Sequence, residues 1–222
     1  MRDMLKNVTD ENVRKVLETL IGKVEKLEAP AIIHFAKTQE NAKVPSRRKE
    51  DAGFDMYACF EQDILVIRPS KVRLVPTGIA TAFGNEYVFK LSERGSTGTK
   101  NMAQRCGVID SGFRGEIKAP INNTSDKVIV ITKLVDENGK PLSEDKLPDN
   151  ITELTKKDKT AILNKDAYLD LVEDAIIYPY SKAVTQGILY YIPETTSDVL
   201  DYETLKNIAS KRGAGMLGSS GK

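Results

Sequence analysis

Residues 94–116 read Arg94-Gly-Ser-Thr-Gly-Thr-Lys-Asn-Met-Ala-Gln-Arg-Cys-Gly-Val-Ile-Asp-Ser-Gly-Phe-Arg-Gly-Glu116, with glycine at 95, 98, 107, 112 and 115. Glycine lets backbone approach a ligand closely. Arg94, Lys100, Arg105 and Arg114 are interleaved with the hydroxyls of Ser96, Thr97 and Thr99, a mixture suited to a phosphate chain. Asp110 follows the apolar pair Val108-Ile109 and precedes a Ser-Gly turn. A carboxylate at a strand end beside a phosphate loop is placed for general-base work. Read alone, the same stretch also serves as a Gly-rich connection between two strands.

Its surroundings are strands. Residues 55–58, 64–67, 71–75, 78–82, 86–91 and 116–121 are short apolar or alternating runs, with turn signals at Pro69-Ser70, Pro76-Thr77 and Gly84-Asn85. Short strands at even spacing without intervening helices predict an all-β sandwich or barrel. Residues 128–132 continue the pattern, and 136–141 signal a turn. Residues 143–174 are then highly charged, with a helix expected over 158–172. Strand texture returns at 175–180 and 184–193, followed by a short amphipathic helix or linker over 198–210.

Upstream, residues 9–28 predict a helix, with Thr9 or Asp10 as N-cap. Val13, Leu17, Leu20, Val24 and Leu27 alternate spacings of four and three, a seam to be buried against the body or against copies of the chain. A first strand is expected at 31–36, and Arg47-Arg48-Lys49 reads as part of a solvated loop.

The 222 residues suit one decorated domain, or one and a half small domains. With 33 Lys+Arg against 32 Asp+Glu, no general nucleic-acid or membrane surface is implied. Two cysteines and one histidine argue against a structural zinc site. His34, inside an apolar run, reads as a strand residue, and Cys59 and Cys106 as reduced thiols of a cytoplasmic protein. No segment has the length of a membrane span or the core of a signal peptide. The tail, 211–222, is glycine- and hydroxyl-rich behind Lys211-Arg212. It reads either as an arm that orders on an anion or as a loose terminus.

Five short motifs now stand in order: Ala52-Gly-Phe-Asp-Met-Tyr-Ala58, Arg94-Gly-Ser-Thr-Gly-Thr-Lys100, Gly107-Val-Ile-Asp-Ser-Gly-Phe-Arg-Gly-Glu116, Ser181-Lys-Ala-Val-Thr-Gln186 and Arg212-Gly-Ala-Gly-Met-Leu-Gly-Ser-Ser-Gly221. In this order they resemble the trimeric dUTP diphosphatase (dUTPase) family, the third most specifically. The resemblance implies a mainly β, jelly-roll-like barrel or sandwich with an N-terminal helix and a partly helical insertion outside the family pattern. It also implies a homotrimer with active sites shared between subunits, dUTP as substrate and Mg²⁺ as cofactor. Asp110 would activate the water that attacks the α-phosphorus, giving dUMP and pyrophosphate. Asp55 would reach Mg²⁺ through water. Arg94, Gly95, Ser96, Thr97 and Gln186 would bind phosphates, and Arg212, Gly218 and Ser219 would clamp the γ end. The hairpin from Gln104 through Gly107 to Ile109 would read uracil, Leu217 would cover it, and Phe113 would exclude a ribose hydroxyl.

This sequence departs from the family pattern in having Phe113 for tyrosine, Met216-Leu217 for Gly-Phe, Gly95 for serine and Gln104 for asparagine. A looser lid and a higher KM are expected from Leu217. The expected partition is a helix at 1–29, a β core at 30–134 and 175–210, an inserted subdomain at 135–174 and an arm at 211–222. Two alternatives are a dCTP deaminase on the same fold, and a nucleotide-gated regulatory protein docking a protein partner through the acidic insertion.

Overall fold

The structure, a computed structural model, describes residues 5, 8–28, 30–156 and 159–210. The strands are β1 (Ile33–Lys37), β2 (Phe54–Tyr57), β3 (Ile64–Ile67), β4 (Val72–Pro76), β5 (Ile79–Phe83), β6 (Tyr87–Ser92), β7 (Met102–Gln104), β8 (Val108–Ile109), β9 (Lys118–Asn123), β10 (Ile129–Thr132), β11 (Asn150–Leu154), β12 (Thr160–Asn164), β13 (Ile176–Pro179) and β14 (Ala183–Tyr191). The helices are α1 (Glu11–Glu28), α2 (Gly95–Gly98), α3 (Lys165–Glu173) and α4 (Tyr202–Lys206). The mainly β sandwich expected from the sequence is therefore present.

The sheets run β12-β11-β3-β10-β13, β2-β14-β6-β8, β4-β9-β7 and β1-β5. One core draws from all of them, including Met56, Leu65, Ile67, Val75, Ile79, Phe89, Leu91, Ile121, Ile131 and Val184. Phe35, Phe54 and Phe83 pack around Phe89 with ring centroids 5.9, 6.5 and 6.3 Å away.

β3 and β10 read Ile-Leu-Val-Ile and Ile-Val-Ile-Thr, and every residue in them is buried. A strand apolar on both faces must be covered on both. Leu65, Ile67, Ile129 and Ile131 face the main core, while Ile64, Val66 and Val130 face a second cluster with Leu147, Ile151 and Tyr168. Residues 135–174 supply that second cover. β11 extends the sheet by pairing parallel with β3 (Glu153 opposite Ile64), and the Asp63 carboxylate accepts from Thr152 N at 2.8 Å and Thr152 Oγ1 at 2.6 Å.

The helix expected over 158–172 is corrected here. Residues 160–164 form β12, antiparallel to β11, and α3 starts only at Lys165, capped by Asn164 Oδ1 accepting from Ala167 N at 2.9 Å. Alternation in β12 leaves Ala161 and Leu163 half-buried between exposed neighbours, a period of two rather than of a helix.

In α1 the N-cap is Asp10, whose carboxylate accepts from Asn12 N and Val13 N at 2.9 and 3.1 Å. Ile21 is buried, but Val13, Val16 and Leu20 are exposed. Residues up to Tyr191 form one compact unit and those from Ile192 another. Within the second, the helix expected over 198–210 is confined to Tyr202–Lys206, capped by Asp201.

Candidate active site

Three segments distant in sequence close on one cleft of about 800 Å³, lined among others by Gly53, Asp55, Arg94, Gly95, Ser96 and Gln186. The sheet explains the convergence. β14 lies between β2 and β6, so Gln186 pairs with Asp55 on one side and Ser92 on the other. Gly53 makes room for this closeness: a Cβ there would meet Gln186 Oε1 at 2.5 Å, so a larger residue would have to displace the Gln186 side chain. Gln186 Nε2 donates to the Glu93 carbonyl at 2.7 Å and so ties β14 to the start of the phosphate-type loop.

Arg94 donates to Asp55 through Nε (2.7 Å to Oδ1) and Nη2 (3.1 Å to Oδ2), and its Nη1 donates to Ser96 Oγ at 2.8 Å. Burial opposes the Arg94 charge, but the Asp55 hydrogen bonds and charge outweigh it and raise the guanidinium pKa. Beneath the pair lies Tyr178, fully buried, whose hydroxyl donates to the Ala183 carbonyl at 2.5 Å and also interacts with Ser96 and Arg94. Burial pushes the Tyr178 phenol up, against the pull of Ser96 and Arg94.

Thr97 is placed otherwise than the sequence reading expected. It is buried and caps α2: its hydroxyl donates to the Arg94 carbonyl and accepts from Arg94 N, both at 3.0 Å. It shapes the loop and does not line the cleft.

The hairpin β7–β8 is held by Gln104 N donating to Glu93 Oε1 at 3.0 Å and Leu91 N donating to the Gly107 carbonyl at 2.7 Å. A Cβ on Gly107 would meet the Leu91 carbonyl oxygen at 2.4 Å, so only glycine permits this approach. The Gln104 amide is turned onto its own backbone, donating to the Arg105 and Pro120 carbonyls at 2.8 and 3.2 Å. Ile109 packs its side chain on the core. Asp110 is exposed and opens a turn closed by Phe113 N donating to its carbonyl at 3.0 Å. Phe113 is 44% exposed.

Asp110 and the cleft are not together in one chain. β2 and β8 are the two edges of the β2-β14-β6-β8 sheet. Asp55, Gln186 and Ser92 form one row, whereas Ile109 pairs with Phe89, so Asp110 falls beside Val88. Three strand spacings across and four residues along amount to roughly 19 Å. Arg212, Leu217, Gly218 and Ser219 lie outside the described residues.

Among the described residues no group of three or more His, Cys, Asp or Glu side chains is gathered as a metal site. A hard cation that keeps its waters needs only one or two carboxylates beside substrate phosphates. Asp55 fits that role, since a carboxylate paired with arginine still has lone pairs for water.

Sequence reading missed Tyr178, hidden as one more aromatic in an apolar strand, and Arg47, which lines the cleft although its Arg-Arg-Lys run reads as solvated. No local signal distinguishes either.

The dUTPase family model matches residues 40–134. The deoxyuridine 5'-triphosphate nucleotidohydrolase of Leptospira interrogans is 37% identical over 103 residues, 45% of this chain and 70% of that protein. The chain belongs to the dUTPase family. The enzyme of the same name from Rickettsia prowazekii is 34% identical over 88 residues, covering 38% of this chain and 59% of that one. Among solved structures, a variant of Staphylococcus bacteriophage 80alpha dUTPase with dUpNHpp shares the fold at a TM-score of 0.56 and 20% identity, covering 86% of this chain and 99% of that one. The span matched by the dUTPase model carries Asp55, Arg94, Asp110 and Phe113 and ends at Leu134, just before the segment that covers β3 and β10.

Proposed function

We propose that this dUTPase-family chain hydrolyses dUTP to dUMP and pyrophosphate at sites completed between copies in a homotrimer. The observation that carries the reading is the split of the site. Asp55, Arg94, Ser96 and Gln186 share one cleft, while Asp110 stands at the opposite sheet edge. A second copy presenting Asp110 to the cleft resolves the separation, and the exposed Val108 and Phe113 beside it are apolar enough to be buried in that contact.

In the reaction Asp110 orients a water and accepts its proton. The water oxygen forms a bond to the α-phosphorus, and the bond from that phosphorus to the pyrophosphate oxygen breaks. Arg94, Ser96 and Gln186 hold phosphate oxygens by charge-assisted and neutral hydrogen bonds. Gly95 permits close approach of its backbone. Asp55 would hold Mg²⁺, through water, and the ion would supply neutralisation of phosphate charge. The 104–109 hairpin reads uracil through backbone groups and Phe113 lies against the sugar. The free thiols Cys59 and Cys106 fit a reducing, cytoplasmic compartment.

Pyrophosphate release with Mg²⁺ from dUTP, dCTP, dTTP and UTP tests this. The expected result is a clear preference for dUTP, abolished by Asp110→Asn. Equal turnover of the four, or full activity in Asp110→Asn, overturns it.

A further inference from the structure

The cleft has a cation that the family motifs do not account for. Three arginines line it: Arg94, Arg48 and Arg47. Arg94 is paired with Asp55 at 2.7 Å. Arg48 is bound through Nε and Nη2 to the Asp51 carboxylate at 2.8 and 2.9 Å, and its side chain is 87% exposed. Arg47 differs from both. Among the described residues it has no carboxylate at ion-pair distance; its Nη1 donates to the Asp51 carbonyl at 2.8 Å and its guanidinium lies 5.0 Å from the Phe54 ring centroid.

The loop beneath it is fixed. Asp55 N donates to the Ser46 carbonyl at 2.9 Å, an antiparallel bridge that lays the loop against β2, and Asp51 N donates to the Arg48 carbonyl at 3.1 Å. Stacking on Phe54 and one backbone bond hold the planar fork, leaving its other donors open. An anion entering the cleft thus meets two guanidinium groups bonded directly to carboxylates and one, Arg47, that feels the Asp51 charge but, among the described residues, is bonded to no carboxylate.

We infer that Arg47 is a substrate-binding residue that takes oxygens of the phosphate chain, supplementing Arg94 and Ser96. The inference rests on the dUTP-hydrolysing reading. It gives the loop of residues 46–51 a function in affinity for polyanionic over singly phosphorylated ligands.

The experiment measures KM and kcat for dUTP in wild type, Arg47→Lys and Arg47→Ala, and Mg²⁺-pyrophosphate and dUMP binding by calorimetry at two salt concentrations. Arg47→Ala is expected to raise KM roughly tenfold or more, as loss of a charge-assisted contact does. The loss should fall on KM more than on kcat and leave the melting temperature in place. Arg47→Lys should recover part of it, because the charge returns without the fork. Pyrophosphate binding should weaken in parallel and dUMP binding much less. Unchanged KM and unchanged pyrophosphate affinity in Arg47→Ala overturn the inference. Should wild type not hydrolyse dUTP, the reading of the reaction fails, and pyrophosphate affinity alone then decides Arg47: equal binding to wild type and Arg47→Ala overturns it.

Discussion

Arg94 and Asp55 hold one another through two hydrogen bonds, Nε to Oδ1 at 2.7 Å and Nη2 to Oδ2 at 3.1 Å, across 39 residues of sequence. The pair fixes the direction of the cation expected to meet phosphate and of the carboxylate expected to face the metal. Both side chains are roughly 30% exposed (28% and 32%), so water screens their attraction and the contribution to stability is only about 1 kcal/mol. The functional consequence is larger. Asp55→Asn is expected to lower the melting temperature by only a few degrees, while kcat/KM for dUTP falls about 100-fold or more and the Mg²⁺ requirement shifts to higher concentration. Steady-state kinetics against Mg²⁺ concentration checks this; an unchanged Mg²⁺ dependence contradicts it.

Tyr178 positions Arg94 from below. Its hydroxyl bonds the Ala183 carbonyl and interacts with Ser96 and Arg94 from a fully buried position. Tyr178→Phe retains the ring and its packing but leaves those groups short of a partner, at a cost of about 1–2 kcal/mol. The expected signature is a small drop in urea midpoint with a rise in KM. A drop in midpoint with no change in KM would make Tyr178 a packing residue only.

Residues 135–174 are integral to the body. Tyr168 of α3 is fully buried against the faces of β3 and β10 carrying Ile64, Val66 and Val130. Tyr168→Ala is expected to destabilise the whole body by about 3–5 kcal/mol in a single transition. Deleting 137–173 should give an insoluble chain rather than a trimmed enzyme, because the apolar outer face of the sheet would be bare. A soluble deletion variant with wild-type melting contradicts this.

Stability is expected to fall at alkaline pH. Cys59, Tyr168, Tyr178 and Tyr180 all have raised pKa values in the folded chain, in each case chiefly because burial disfavours the anion. A raised folded value means that the native state holds the proton more tightly than the unfolded chain. The resulting stability is fully present below the unfolded values, about 8.5 for thiol and about 10 for phenol, and is lost as pH rises through the folded ones. Lys133, lowered by burial, runs the other way, but it is one group against four. Urea midpoints should therefore decline from about pH 9 upward, and Cys59→Ala should remove the earliest part of the decline. A midpoint flat to pH 10.5 would contradict it, taking the thiol and phenol windows above as the range that must respond.

Much of the fold was legible because short strands with period-two or fully apolar patterns report their own burial. All ten runs expected as strands are strands, from β1 to β14. The errors lie where local pattern and tertiary context part. Thr160–Asn164 carries Ile162 and Leu163 at spacings that also suit a helix, and only pairing with β11 makes it a strand. Thr97 looked like a phosphate hydroxyl among others, yet its use as a cap depends on the turn after Arg94. Arg47 and Tyr178 acquire roles only when β2, β13 and β14 bring residues far apart in sequence to one place, which no window of sequence contains.

In the proposed homotrimer, one copy's cleft is expected to work with another copy's Asp110. Subunit complementation tests it most directly. Asp110→Asn and Asp55→Asn are each purified, shown to have little dUTP turnover, then mixed, unfolded and refolded together, with pyrophosphate release measured. Sites that combine the intact cleft of one variant with the intact Asp110 of the other should restore substantial activity to the mixture. Activity no greater than the sum of the two variants, in a mixture shown to form mixed oligomers, would contradict the shared site.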